Sequence, residues 1–269
     1  MGRKSIFELE CRVDLMQGFL DLEEDMRKMQ VSCSDGSSRS IYELLDQCIR
    51  SWPFRDTAMT IRRYLAYRGI DQSALAEEDV ISVLELYVNL LHWMPAYDHN
   101  TTGFISGFDS NVADGCGLFL QNIAALLEKC NWTVREKKMK DYIQYIITKR
   151  DAGVDAVLEQ APELSETLLE YLDLRNAKDL EAKRRILKTI AGTMEAVRGE
   201  YKGTVYEKLC ENVFFVFNRC NIRHSTKQIK MTKAKQMNVY DQTFRACIHL
   251  LQREDMQKFK EAVEELKKS

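Results

Sequence analysis

Arg219, Asn221, Arg223 and His224 stand within the segment FFVFNRCNIRHSTKQIK (214–230), and these side-chain types together suit chemistry on a phosphodiester. An imidazole can take the proton of a 2'-hydroxyl and return one to the leaving oxygen, while guanidinium groups hold the phosphate and stabilise its added negative charge. In that scheme His224 is the general base and acid, Arg219 and Arg223 stabilise the phosphorane, and Asn221 orients. Lys227, Lys230, Lys233 and Lys235 follow, and no acid lies between Arg219 and Lys235, so flanking phosphates would meet unneutralised charge. The same residues have an ordinary structural reading. Cations at a helix C-terminus are favoured by the macrodipole, Asn suits the left-handed cap, and lysines solvate loops. In an unbroken helix residues five apart diverge by about 140°. Arg219 and His224 therefore share a site only across a helix break or between two chains.

Other patterns do not complete a site. FDSNVADGCG resembles a calcium loop, but counted from Asp109 its glycine falls at position 7 instead of 6, and Ala113 takes a ligand position. It reads as a turn and helix start. DGCGLF lacks a full GxGxxG, no GxxxxGK[ST] occurs, and GFISG places its serine one residue too late for a nucleophile elbow. His92, Asp98 and His99 straddle Pro95 without metal-ligand spacing. The eight cysteines form no CxxC pair. They read as buried thiols of a reducing cytoplasm. No metal and no cofactor is expected.

The chain has 269 residues with 45% hydrophobic and 30% charged side chains, which excludes disorder and low complexity. Its net charge of -2 conceals a gradient. Residues 1–110 carry 11 basic and 18 acidic side chains, 111–200 carry 14 and 15, and 201–269 carry 14 and 8. The C-terminal quarter is thus the part that attracts a polyanion. MGRKSIFELE reaches charged residues too early for a secretion signal, Ile6 stands where a myristoylation motif wants Ser or Thr, and apolar runs are too short for a membrane span. The expectation is a cytoplasmic protein without a membrane.

The elements that carry these residues read as helices, since twelve glycines and three prolines leave little turn material for an all-β chain. Ser5 with Glu8, Ser40 with Glu43 and Thr204 with Glu207 fit the capping box and mark helix starts. Leu9, Val13, Met16 and Leu20 predict a first helix, closed by SCSDGSS (32–38). A second runs from Ser40 towards Trp52 and a third from Ile61 to Tyr67. Val80, Val83, Leu84, Tyr87 and Leu91 predict a fourth that stops at Pro95. Val112, Cys116, Phe119, Ile123, Leu126 and Cys130 form the cleanest stripe. Between Asn131 and Asp151 the pattern weakens: WTV reads as a short extended piece, whereas Tyr142, Tyr145 and Ile146 suit a helix. Helices are expected near 163–175, through Leu180 to Val197, from Thr204 along Val205, Leu209, Val213 and Val216, and through Tyr240 to Leu251. A charged amphipathic tail at 254–267 closes the chain. The expected fold is all-α, with two packed helical sub-bundles: an acidic one at 1–150 and a basic one at 151–269.

Arg219 and His224, with CNIR between them, fit the Arg, four to six residues, His motif of the HEPN superfamily. The wider segment resembles helical proteins of the bacterial abortive-infection type, through AKRRILKTIAGTMEAVR (182–198), VFNRCNIRH (216–224) and VYDQTFRACIHLL (239–251). The resemblance covers about 180–252 and is sharpest at Ile222–His224; the family usually has a polar residue where Cys220 stands. It implies a HEPN-like C-terminal sub-bundle, a homodimer whose Arg and His line a cleft between protomers, and a metal-independent endoribonuclease of a phage-defence or toxin type. The alternative is a non-catalytic helical interaction module of the same fold. In either case the acidic half would engage a protein partner or mask the basic face.

Overall fold

The computed structural model describes residues 13–33, 35–98, 110–223 and 229–252, with the side chains of 95–98 outside that description. It divides into two compact units, Met1–Lys149 and Arg150–Ser269. The expected sites and elements at Ser5–Glu8, His99, His224, Lys227 and the 254–267 tail lie outside the described residues.

The first unit contains α1 (Leu15–Lys28), a small hairpin of β1 (Gln30–Ser32) and β2 (Ser38–Ser40), α2 (Ile41–Cys48), α3 (Ile61–Tyr67), α4 (Glu77–Asp98), α5 (Ser110–Lys129), and a second hairpin of β3 (Trp132–Lys138) and β4 (Ile143–Lys149). Helix α2 begins as the capping box predicts. Ser40 Oγ accepts from the Glu43 N–H at 3.2 Å, and the Glu43 carboxylate accepts from the Ser40 N–H at 2.7 Å. Helix α4 is the unit's axis, with Val80, Ile81, Val83, Leu84, Leu86, Tyr87, Val88, Leu90 and Leu91 all buried. A helix apolar on every side must be surrounded, and α1, α2, α5 and β4 pack around it. Gly115 sits inside α5, where a Cβ would come within 2.8 Å of Ile41 Cδ1. The glycine of the calcium-like loop thus serves helix packing.

The all-α expectation needs correction: the described residues are mainly helical with two antiparallel hairpins. The WTV piece is extended as expected, within β3, whereas Tyr145 and Ile146 lie in β4 instead of a helix, with Trp132 paired to Lys149 and Lys138 to Ile143. Thr133, Val134, Ile143, Ile146, Ile147 and Thr148 are β-branched and favour the pleated conformation. Scarce glycine did not forbid the hairpin. Its tip closes through the Met139 N–H to the Tyr142 carbonyl at 2.8 Å, with no left-handed residue in the turn.

Other boundaries differ as well. Helix α4 continues through Pro95 to Asp98; a proline so near a helix end deletes a single backbone donor. Helix α2 stops at Cys48 and passes into turns before Trp52.

The second unit holds α6 (Ala152–Gln160), α7 (Ser165–Leu172), α8 (Leu180–Val197), α9 (Glu207–Arg219) and α10 (Lys233–Leu251), joined partly by short 3₁₀ turns. Helix α6 was not anticipated, and the helix expected near 163–175 is α7 between two 3₁₀ turns. Thr204 does not cap α9. Its hydroxyl donates to the Tyr201 carbonyl at 2.7 Å, the Glu207 carboxylate accepts from the Gly203 N–H, and the helix starts three residues later. The core joins Leu168 and Tyr171 of α7, Ile186, Leu187, Ile190 and Met194 of α8, Val213, Phe214 and Phe217 of α9, and Tyr240, Phe244 and Cys247 of α10. Tyr171 stacks on Phe244 at 4.0 Å, and its hydroxyl donates to Asp241, which also pairs with buried Lys183 at 2.6 Å. Three helices are thereby held in one register. Among the described residues no helix is long and apolar enough to cross a membrane.

Candidate nucleic-acid interface

Helix α9 ends at Arg219 because the next two residues reverse the chain. Cys220 takes a non-helical cap conformation and Asn221 is left-handed, with φ of 61°. The Arg223 N–H then returns to the Phe217 carbonyl at 2.9 Å, and buried Ile222 joins Phe217 in the core. This is the hydrophobic closing expected of a left-handed helix terminus. Burial of Ile222 contributes roughly 1.5–3 kcal/mol. The break that Arg219 and His224 require in order to face one site therefore lies between them.

The same grammar ends α5. Lys129, Cys130 and Asn131 match Arg219, Cys220 and Asn221 in type and position, and Asn131 is also left-handed, with φ of 62°. Asn221 thus has a complete structural role as a helix terminator, whatever else it does. Its Oδ1 also accepts from Arg184 Nη1 of α8 at 3.4 Å.

Across the break, the Ile229 N–H donates to the Arg219 carbonyl at 2.9 Å. This bond sets the backbone before Lys230 close to Arg219. Thr232 caps α10 by accepting from the Lys235 N–H, so Lys233 and Lys235 occupy its first turn. Arg219, Lys230, Lys233 and Lys235 are exposed and form no ion pair among the described residues. Two lysines at a helix N-terminus oppose the macrodipole, each at a cost of about 0.3–1 kcal/mol. A helix-stability argument does not account for them.

Arg223 is engaged differently. Its guanidinium donates to the Glu195 carboxylate of α8, and Glu195 also approaches Arg198 at 3.6 Å. The Arg223 bond, with help from Arg198, holds the Glu195 carboxyl below the usual carboxylate range. Beneath the turn, Tyr240 Oη donates to the Cys220 carbonyl at 3.0 Å and accepts from Gln236 at 2.8 Å. Burial pushes the Cys220 thiol up, so at neutral pH it is a packed thiol, not a nucleophile.

Of the predicted residues, Arg219, Asn221, Arg223 and Lys230 gather around the end of α9, with Lys233 and Lys235 continuing along α10; His224 and Lys227 fall outside the described residues. Sequence reasoning missed Glu195, Arg184 and Tyr240. They lie 20 or more residues from their partners, and no spacing rule links them. Among the described residues no group of three or more His, Cys, Asp or Glu side chains is arranged to hold a metal. The fold and site define a mainly helical protein with a basic turn on its second unit. No protein-family model, curated protein or solved structure matches the chain.

Proposed function

We propose that the second unit binds single-stranded RNA at the end of α9 and, through Arg219 and His224, cleaves it without a metal as a HEPN-like endoribonuclease of a defence or toxin type. The observation that carries the reading is the Ile229 to Arg219 bond. It brings the chain after His224 back to the end of α9, so that exposed Arg219 meets Lys230 and the lysines at the start of α10, which form no ion pair among the described residues. Arg219 would stabilise charge on the phosphorane, His224 would move the proton, and Lys227, Lys230, Lys233 and Lys235 would hold flanking phosphates. A cytoplasmic homodimer belongs to the same proposal. Phe215 of α9 is 54% exposed beside the buried apolar face of its helix, which suits a contact with a second copy.

A non-catalytic interaction module is the second reading, favoured by the shared Cys-Asn termini of α5 and α9. Incubation of the protein with labelled single-stranded RNA in EDTA separates the two. The nuclease reading expects 2',3'-cyclic phosphate ends, lost in His224→Ala and Arg219→Ala without loss of fold, while Lys230→Ala weakens binding and flattens its salt dependence by about one phosphate contact. RNA bound but left intact by the wild type removes cleavage and keeps RNA binding. Absence of any salt-dependent RNA binding ends both RNA functions and leaves the protein-interaction module.

A further inference from the structure

Arg223 offers the planar donor fork that suits a phosphate, yet an internal carboxylate accepts from its Nη1. Glu195 lies on α8, 28 residues before Arg223 in the chain, and the two side chains meet as a tertiary ion pair. The pair is open to solvent, with 42% of the Glu195 side chain and 27% of the Arg223 side chain exposed. A dissolved anion can therefore reach it. The backbone of Arg223 is fixed independently, by its N–H to the Phe217 carbonyl and by buried Ile222 before it. Loss of the carboxylate would leave the side chain rooted at the same point of the turn. Glu195 also has a second cation within reach: Arg198, one helical turn onward at 3.6 Å. The Arg198 guanidinium lies over the Phe214 ring at 4.5 Å, which keeps it near that position.

Resting on the RNA reading above, we infer that Glu195 is a latch: its carboxylate holds the phosphate seat of Arg223, and an RNA phosphate displaces it towards Arg198. The exchange is one of ion-pair partners, with no bond made or broken. A carboxylate and a phosphate both accept from a guanidinium in the same forked geometry, so the two compete for one set of donors. Partly exposed ion pairs are weak, which makes the latch displaceable and its effect modest. The latch sets the affinity threshold at which RNA engages Arg223.

The test measures the full chain against a fluorescent, uncleavable 2'-O-methyl oligoribonucleotide, which separates binding from cleavage. Glu195→Gln should bind about two- to five-fold more tightly than wild type, the range expected when a competing, partly exposed pair is removed. Glu195→Asp retains the charge but shortens the arm by one methylene, and it should give a gain of the same sign. This excludes a general effect of net charge and supplies a second variant if the first folds poorly. In an Arg223→Gln background the gain from Glu195→Gln should vanish, because the latch has no seat to hold. A gain that persists without Arg223, or RNA bound equally by wild type and both Glu195 variants, overturns the latch and leaves RNA binding standing. Oligonucleotide bound by neither wild type nor the Glu195 variants removes the RNA reading, and the latch with it.

Discussion

Tyr240→Phe removes one oxygen from beneath the candidate site and tests whether that site is positioned from the core. The ring of Tyr240 is fully buried, and its hydroxyl donates to the Cys220 carbonyl at 3.0 Å while accepting from Gln236 at 2.8 Å. Burial raises its ionisation above the ordinary phenol range. The hydroxyl is therefore protonated and free to donate at neutral pH. Phenylalanine keeps the packing and removes only the bond. Gln236 is partly exposed and finds water, but Cys220 is buried and its carbonyl loses a partner. A lost hydrogen bond with one buried group left unsatisfied costs about 1–3 kcal/mol. For a domain of this size each kcal/mol lowers the midpoint by roughly 3–6 °C. Urea unfolding followed by circular dichroism measures the loss, and amide exchange locates it: the Arg223 and Ile229 N–H groups, which bond the Phe217 and Arg219 carbonyls, should lose protection before the centre of α8 does. A stability change below about 0.5 kcal/mol, or a protection loss spread evenly over the unit, would refute the reasoning that Tyr240 anchors this turn.

Two further expectations concern the first unit. Asn89 holds the free edge of β4 by donating to the Tyr145 carbonyl at 2.7 Å and accepting from the Tyr145 N–H at 3.0 Å, while Glu85 accepts from the Ile147 N–H at 2.9 Å; Asn89→Ala should cost about 1–3 kcal/mol and speed exchange at Tyr145 in particular, and unchanged exchange there would refute the clip. His92 stacks on Tyr145 at 3.8 Å, and burial depresses its ionisation below the ordinary 6.5. A histidine depressed in the folded state contributes stability that is complete above the unfolded value and is lost as pH falls through the folded one. Urea midpoints should therefore fall as pH drops from about 6.5 towards 5, with a smaller slope in His92→Gln; equal slopes would show that His92 carries no such linkage.

By itself the sequence determined what short-range physics controls. The 3 and 4 stepping of Val112 to Cys130 and of Leu187 to Val197 specifies amphipathic helices, and α5 and α8 appear where those stripes lie. The Ser40 and Glu43 box starts α2 because both bonds form within one turn. The break after Arg219 was legible as one of two readings, since Asn beside a helix end favours the left-handed conformation locally. Tertiary structure decided the rest. Residues 143–149 became a strand because Asn89 and Glu85, more than 50 residues earlier, satisfy the edge that a lone hairpin would leave open. Thr204 is a local exception: its hydroxyl bonds the Tyr201 carbonyl three residues back and the Glu207 carboxylate takes the Gly203 N–H, so competing short-range bonds displaced the start of α9. The setting of Arg223 was equally invisible in the chain. Its local sequence is basic throughout, and the carboxylate that meets it comes from α8, delivered by the packing of α8 against α9. Local patterns encode bonds closed within a turn or two, whereas a site that joins distant residues exists only once the core has brought their helices together.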